Sequence, residues 1–143
     1  MQMKKFILTI SAVVILLTGC STSSPANVAG CYVATLQKDR YLLDITSHNG
    51  ETIEAAVAFK NYEKDSSIGT LVGTFDGEIL FGVYTFQSEG MTSRRELTFK
   101  YDDGGWYSGY GPVEVNGDFE SLVRPLDITW DTSYKYLSQK VCE

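Results

Sequence analysis

The sequence contains little of the chemistry that metal sites and most hydrolases need. Of its 143 residues one is a histidine, His48, and the three cysteines form no Cys-x-x-Cys pair. Zinc sites take His and Cys ligands at close spacing, so no metal site is expected. A Ser–His–Asp triad needs its histidine fixed in a cleft, whereas His48 precedes Asn49-Gly50 in a predicted turn. The sequence therefore assigns no catalytic residue and no cofactor.

The chain also lacks a cluster of basic residues. It carries 12 Lys and Arg against 18 Asp and Glu, a net charge of −6, and no segment concentrates the positive charges. An acidic surface of this kind argues against binding nucleic acid and against adhesion by charge to anionic lipid.

No apolar run is long enough to span a bilayer. The longest, Phe6 to Leu17, has about a dozen residues, whereas a spanning helix needs about 20. It follows Lys4 and Lys5 and precedes small residues, which is the organisation of a secretory signal peptide. Residues 1–19 are predicted to be removed on export. All 18 acidic residues lie after residue 19, whereas Lys4 and Lys5 lie before it. Residues 20–143 therefore carry a net charge of −8.

The four residues Leu17-Thr18-Gly19-Cys20 resemble the lipobox of bacterial lipoproteins. The resemblance implies that Cys20 becomes the first mature residue and carries a diacylglycerol thioether and, in many bacteria, an amide-linked acyl chain such as palmitate. Two or three acyl chains anchor a protein durably, whereas one binds only marginally. Ser21 then favours the outer membrane in a Gram-negative cell, and otherwise the cell membrane is expected. The alternative is an ordinary signal peptide with Cys20 next to the cut by accident.

The remaining cysteines, Cys31 and Cys142, lie at the two extremes of the folded region. Disulfides persist outside the cytoplasm, and a bond between these residues closes a loop of over 100 residues. In the chain-entropy model that closure stabilises the fold by roughly 4 to 5 kcal/mol. We expect this disulfide, and two unpaired thiols are the alternative.

The mature chain is predicted to form one all-β domain. A Ser/Thr-rich flexible tether is expected over residues 20–30, and a domain over residues 31–143. The domain alternates β-branched and aromatic residues with Gly and Asp turns, and no stretch sustains helical periodicity. About eight to ten short strands are typical of a small antiparallel β-barrel or sandwich. A barrel is preferred because it has no open edges and joins the chain ends for the disulfide.

The first long hairpin has two possible registers. Tyr41 to Ser47 pairs with Thr52 to Lys60, and a two-residue turn sets Ile45 opposite Glu54. A three-residue loop with a bulge at Gly50 instead sets Ile45 opposite Ile53 and gathers the apolar residues on one face. We expect the second register.

Arg95 is the most informative polar residue. It shares a predicted strand face with Leu97 and Phe99, and a buried guanidinium must be paired. The pair either closes one end of the barrel structurally, or is made with a ligand carboxylate or phosphate at the barrel mouth. The expected protein partners are Glu63, Asp65 and Glu89.

Two further predictions concern side chains near that strand. Arg94 lies on the opposite face, where a five-residue connection over residues 87–91 sets it across from Tyr84 for a cation–π contact. Tyr110 either packs within the sheet or joins a sugar- or peptide-binding face.

The order of several short segments after the lipobox resembles an uncharacterised family of small bacterial lipoproteins. The likeness covers residues 31–111, and it implies a shared framework with binding loops around residues 63–65 and 88–90. It implies no catalytic or ligand residue. The segments are Tyr62-Glu63-Lys64-Asp65, Ile68-Gly69-Thr70, Tyr84-Thr85-Phe86, Ser88-Glu89-Gly90, Arg95-Glu96 and Gly109-Tyr110-Gly111.

Three functions are compatible with the sequence. The first is a non-enzymatic binding lipoprotein that meets an envelope protein, a peptide or a small anionic ligand through one barrel end. The second is an inhibitor or immunity-type lipoprotein that inserts the 88–92 loop, with Met91, into an envelope enzyme or toxin. The third is a hydrolase built on Glu63, Asp65 and Glu89, which requires two of these carboxylates within a few ångströms.

The lipid anchor is tested by replacing its only attachment site. Cys20→Ala is expected to move the exported protein from the membrane fraction to the soluble fraction, because no acyl chain can then be added. Fractionation followed by immunoblotting measures the distribution. A variant that stays with the membranes contradicts lipidation at Cys20.

Overall fold

The computed structural model describes residues 25–143. The predicted signal peptide, Cys20 and the first part of the predicted tether lie outside this range. Within it the chain folds as the all-β domain that the sequence predicts, and no helix there is long and apolar enough to cross a bilayer. The strands are β1 Gly30–Leu36, β2 Asp39–Asn49, β3 Thr52–Lys60, β4 Ser67–Phe75, β5 Ile79–Ser88, β6 Met91–Asp102, β7 Gly105–Tyr110, β8 Val113–Asn116, β9 Phe119–Leu122, β10 Thr129–Trp130 and β11 Tyr136–Gln139.

Eight of these strands close an antiparallel barrel. Strands β1 to β7 pair in sequence order, and β11 returns between β7 and β1 to complete the circle. Two additions extend the sheet. The short strand β10 pairs with the end of β7, and the β8–β9 hairpin joins the first half of β6 through a parallel pairing of β9.

The predicted disulfide is confirmed. Cys31 on β1 and Cys142, just after β11, are bonded with their Cα atoms 5.5 Å apart and 111 residues apart in sequence. Because β1 and β11 are also hydrogen-bonded neighbours, the bond fastens together the two strands that close the barrel.

The register of the β2–β3 hairpin differs from the prediction. Ile45 lies opposite Ala55 rather than Ile53, the turn is the two-residue Gly50-Glu51, and the extra residue forms a bulge between Ile45 and Ser47. The shift is two residues, so the same side chains still face inward. Ile45, Ile53 and Ala55 are all buried in the core. The pairing was therefore wrong, but the buried face was predicted correctly.

One end of the barrel is closed by the residues that precede β1. Val28 is 2% exposed; its N–H donates to His48 Nδ1 at 3.2 Å, and the Tyr32 hydroxyl donates to its carbonyl at 3.0 Å. His48 belongs to β2 rather than to the turn. We call this the closed end, and the opposite end, near residues 61–66 and 89–90, the mouth.

The disulfide is tested by reduction. Opening a cross-link of this loop length is expected to lower the stability by about 4 to 5 kcal/mol and hence the melting temperature by roughly 15 to 20 °C for a domain of this size. Circular dichroism with and without dithiothreitol measures the shift. The double variant Cys31→Ser/Cys142→Ser is the control, because it should melt at the lower temperature under both conditions. Equal melting temperatures of the oxidised and reduced protein are incompatible with the bond.

Candidate functional site

The mouth of the barrel holds a cavity of about 340 Å³. Its walls carry six aromatic rings together with several polar side chains, and they come from β2 to β7, from residues 61–66 and from the segment before β11. Ser108, one of the few buried polar side chains of the described domain, also lines it. The six rings are those of Tyr41, Phe59, Phe86, Phe99, Tyr110 and Tyr134.

Arg95 enters this cavity from β6 without a hydrogen-bonded carboxylate. Its side chain is 41% exposed and its guanidinium carbon lies 4.8 Å from the centre of the Phe86 ring. The nearest acid, Glu120, places Oε1 3.9 Å from Arg95 Nε, which is too far for a hydrogen bond. This Nε is buried and has no hydrogen-bond partner among residues 25–143. The guanidinium therefore keeps unused donors at the cavity wall.

The neighbouring arginines are satisfied. Arg94 donates to Asp118 at 3.3 Å on the outer face of β6, and Arg124 donates to both carboxylate oxygens of Glu96, at 2.8 and 3.0 Å. Arg95 lies between these two pairs on the other face of the strand. Of these three arginines, Arg95 is the one without a hydrogen-bonded carboxylate.

The residues proposed from the sequence are only partly brought together. Asp65 and Tyr110 line the same cavity as Arg95. Glu63 lies in a separate outer groove with Lys38 and Tyr62, and Glu89 is exposed in the β5–β6 turn. The three acids therefore occupy three different places, and Asp65 is the one carboxylate among the described residues that line the cavity.

Glu120, the acid that faces Arg95, was not among the predicted partners. The two residues pair through the parallel β6–β9 register, which brings together segments 25 residues apart that no local pattern connects. A charged residue in a short strand after Asn116-Gly117 was the available signal, but its partner strand was not predictable.

The expected contact between Arg94 and Tyr84 is wrong. The β5–β6 turn has two residues, Glu89 and Gly90, with φ of 51° and 77°. Ser88 therefore pairs with Met91, which places Arg95 opposite Tyr84. Arg94 lies instead above the ring of Phe119, 5.2 Å from its centre.

Tyrosine hydroxyls add neutral hydrogen-bonding groups to the mouth. The Tyr110 and Tyr134 hydroxyls are 2.6 Å apart, and Ser108 Oγ donates to the Tyr136 hydroxyl at 3.4 Å. Burial raises the pKa of Tyr134 and of Tyr136 well above the ordinary value, so both remain protonated across the physiological range. Of these hydroxyls, those of Tyr110 and Tyr134 line the cavity and can donate to an oxygen of a ligand.

No protein-family model, curated protein or solved structure matches this chain. Within residues 25–143, no three His, Cys, Asp or Glu side chains are grouped so that they would hold a metal ion.

A second cleft, of about 230 Å³, separates the β5–β6 turn from the β8–β9 hairpin. It shares Phe86, Ser88 and Arg95 with the mouth cavity. Three consecutive residues of β6 tie the hairpin to the barrel: Arg94 with Asp118, Arg95 with Glu120, and Glu96 with Arg124.

The last of these pairs is the strongest link to the hairpin. Glu96 is mostly buried and accepts from Arg124 and from the Leu122 N–H at 2.8 Å. The pKa of the Glu96 carboxyl is lowered, mainly by the hydrogen bond from the Arg124 guanidinium. A carboxylate with a lowered pKa stabilises the fold above its ordinary pKa, and this stabilisation is lost as the pH falls through the folded value.

Glu96→Gln is therefore expected to loosen the hairpin by about 1 to 2 kcal/mol, allowing for the half-exposed arginine. Amide hydrogen exchange at Leu122 should accelerate roughly 5- to 30-fold at pH 7, and the difference from the wild type should shrink as Glu96 is protonated in acid. Glu78→Gln, which breaks an exposed pair with Lys100, is the control and should change Leu122 exchange little. Equal effects of the two substitutions would contradict the assignment.

Proposed function

We propose that the protein is a membrane-anchored lipoprotein of the bacterial cell envelope that binds a small anionic ligand in the mouth cavity, without catalysing a reaction. The observation that carries the proposal is the incomplete pairing of Arg95. A partly exposed guanidinium that lines a cavity and hydrogen-bonds to no carboxylate gains free energy from a carboxylate or phosphate that accepts its hydrogen bonds.

The rest of the cavity suggests a ligand with an apolar or ring-shaped body. Phe59 and Phe86 offer apolar surface to the space, and the Tyr110 and Tyr134 hydroxyls offer polar contacts. The volume of about 340 Å³ lies at the lower end of the range for small-molecule pockets. A compact amphiphilic acid fits both the size and the lining.

The position of residues 25–28 supports a function directed away from the membrane. Pro25 and Val28 lie at the closed end, so only residues 20–24 separate the proposed lipid from the domain. Five extended residues reach at most about 17 Å. An anchor on Cys20 therefore holds the closed end near the lipid and leaves the mouth accessible from the opposite side.

A second candidate function uses the tip of the β5–β6 hairpin. The Glu89-Gly90 turn is a tight two-residue turn, and Met91 beside it is an exposed large apolar side chain. A rigid turn that presents an apolar side chain favours insertion into a pocket of an envelope enzyme or toxin. This is the inhibitor or immunity-type hypothesis, and it does not require an occupied cavity.

Ligand binding is tested with naphthalene-1-carboxylate, a compact aromatic acid, and the neutral naphthalene-1-carboxamide. Titration of the exported Cys20→Ala protein by NMR is expected to shift signals around the mouth with the acid and much less with the amide. Arg95→Met should weaken binding of the acid about tenfold or more, because a charge-assisted contact is lost. Arg94→Met is the matched control and should bind as the unchanged protein does, since Arg94 lies on the outer face. Equal binding of acid and amide would refute the proposal.

A substitution at Glu120 is expected to change the affinity for the acid in the opposite direction to Arg95→Met. Its carboxylate competes with the ligand for Arg95, so Glu120→Gln should strengthen binding of the acid by roughly two- to fivefold, the range of a half-exposed ion pair. A weaker affinity in this variant would show that Glu120 holds Arg95 in its binding position instead of competing for it.

A further inference from the structure

The β8–β9 hairpin leaves one side of the sheet open. Strand β8 is the last strand of the sheet order and pairs with β9 alone among the described residues. All four of its residues are exposed, including Val113 at 50% and Val115 at 69%. Closure of the barrel removes the edges of its eight strands, whereas β8 and the two-residue β10 remain terminal strands of the sheet, and β8 is the longer of the two.

The register shows which backbone groups are free at this edge. The Val123 N–H donates to the Pro112 carbonyl at 2.8 Å, and hydrogen-bonded and non-bonded pairs alternate along an antiparallel ladder. Pairs Glu114–Ser121 and Asn116–Phe119 are therefore the hydrogen-bonded ones. It follows that the N–H and C=O groups of Val113 and Val115 point away from β9, into the open edge.

We propose that this edge accepts an extended segment of another envelope protein as an additional antiparallel strand, with a Lys or Arg of that segment opposite Glu114. Four free backbone groups give the hydrogen bonds of strand addition, and alternate side chains give its specificity. The residues of the added strand that hydrogen-bond to Val113 and Val115 lie beside the exposed side chains of these two valines, so apolar residues are favoured at those positions. The inference is independent of ligand binding in the mouth cavity.

Charge argues for a basic partner and against a second copy of this chain. If two β8 strands pair symmetrically through their full length, the free groups of Val113 meet those of Val115 and the two Glu114 residues face each other. That position is a non-hydrogen-bonded pair, in which the Cα atoms approach to about 4.5 Å and like charges destabilise. The net charge of −8 on residues 20–143 adds repulsion between copies.

The ends of β8 limit what the edge can bind. Pro112 precedes the strand, and Gly117, with φ of 64°, turns the chain away after it. The added strand therefore gains its backbone hydrogen bonds over four residues, which favours a short, reversible contact over an open-ended sheet.

The proposal is tested with the peptide acetyl-Thr-Val-Lys-Val-Thr-amide and with a second peptide that has Glu in place of Lys. In the exported Cys20→Ala protein, the lysine peptide at millimolar concentration is expected to shift the amide signals of Val113 and Val115 most strongly. The glutamate peptide should bind at least about fivefold more weakly than the lysine peptide, because like charges opposite each other on neighbouring strands destabilise the pair.

Two variants of Val115 distinguish the contribution of its outward N–H group from that of its side chain. Val115→Pro removes an N–H that points outward, so it should abolish peptide binding while the Leu122 amide keeps its slow exchange. Val115→Thr keeps the N–H and a β-branched side chain and should bind within about twofold of the original. Shifts elsewhere or no shifts, equal binding of both peptides, or full binding by Val115→Pro would overturn the proposal. Broadening of the β8 signals with protein concentration alone would instead show self-pairing and overturn the choice of partner.

Discussion

Closure of the sheet by β11 is the constraint on which the other features depend. Tyr136 pairs with Trp106 on β7, and two residues further on Ser138 pairs with Tyr32 on β1. Without this strand β1 and β7 would be open edges, and the space inside the sheet would have no continuous wall. The Cys31–Cys142 bond secures the same junction covalently. A strand of four residues can hold this position because packing and the disulfide fix it from both sides.

The two ends of the closed barrel differ because of what the sequence supplies to each. Val28 fills the end where β1 begins. At the other end the inner face of β6 carries Arg95, whose charge does not pack as an apolar side chain would. Because side chains alternate between the two faces of β6, those of its neighbours Arg94 and Glu96 point outward. Both form ion pairs with the hairpin segment there. One short run of charges thus attaches the β8–β9 hairpin and leaves Arg95 facing the cavity.

Much of the fold was predictable because its signals are local. Turn residues such as Asp76-Gly77 and period-two alternation located most strands, and the inward face of Arg95 followed from its neighbours. Features that depend on distant segments were not predictable. The β11 closure and the pairing of Arg95 with Glu120 are set by packing between remote strands, and the bulge that shifted the first hairpin has no clear sequence mark. Of the candidate residues, Arg95, Asp65 and Tyr110 line one cavity, whereas Glu63 and Glu89 lie elsewhere.

The most direct test of this account measures which end of the barrel admits a small anion. Paramagnetic relaxation of amide signals by a carboxylate-bearing nitroxide is compared with that by an amine-bearing one. The account predicts that the anionic probe broadens Ser67 and Arg95 at the mouth more than the cationic probe does, against the acidic charge of the whole protein, and that neither broadens Val28 or Ile53 at the closed end. Stronger broadening of the mouth by the cationic probe, or equal broadening at both ends, would contradict it.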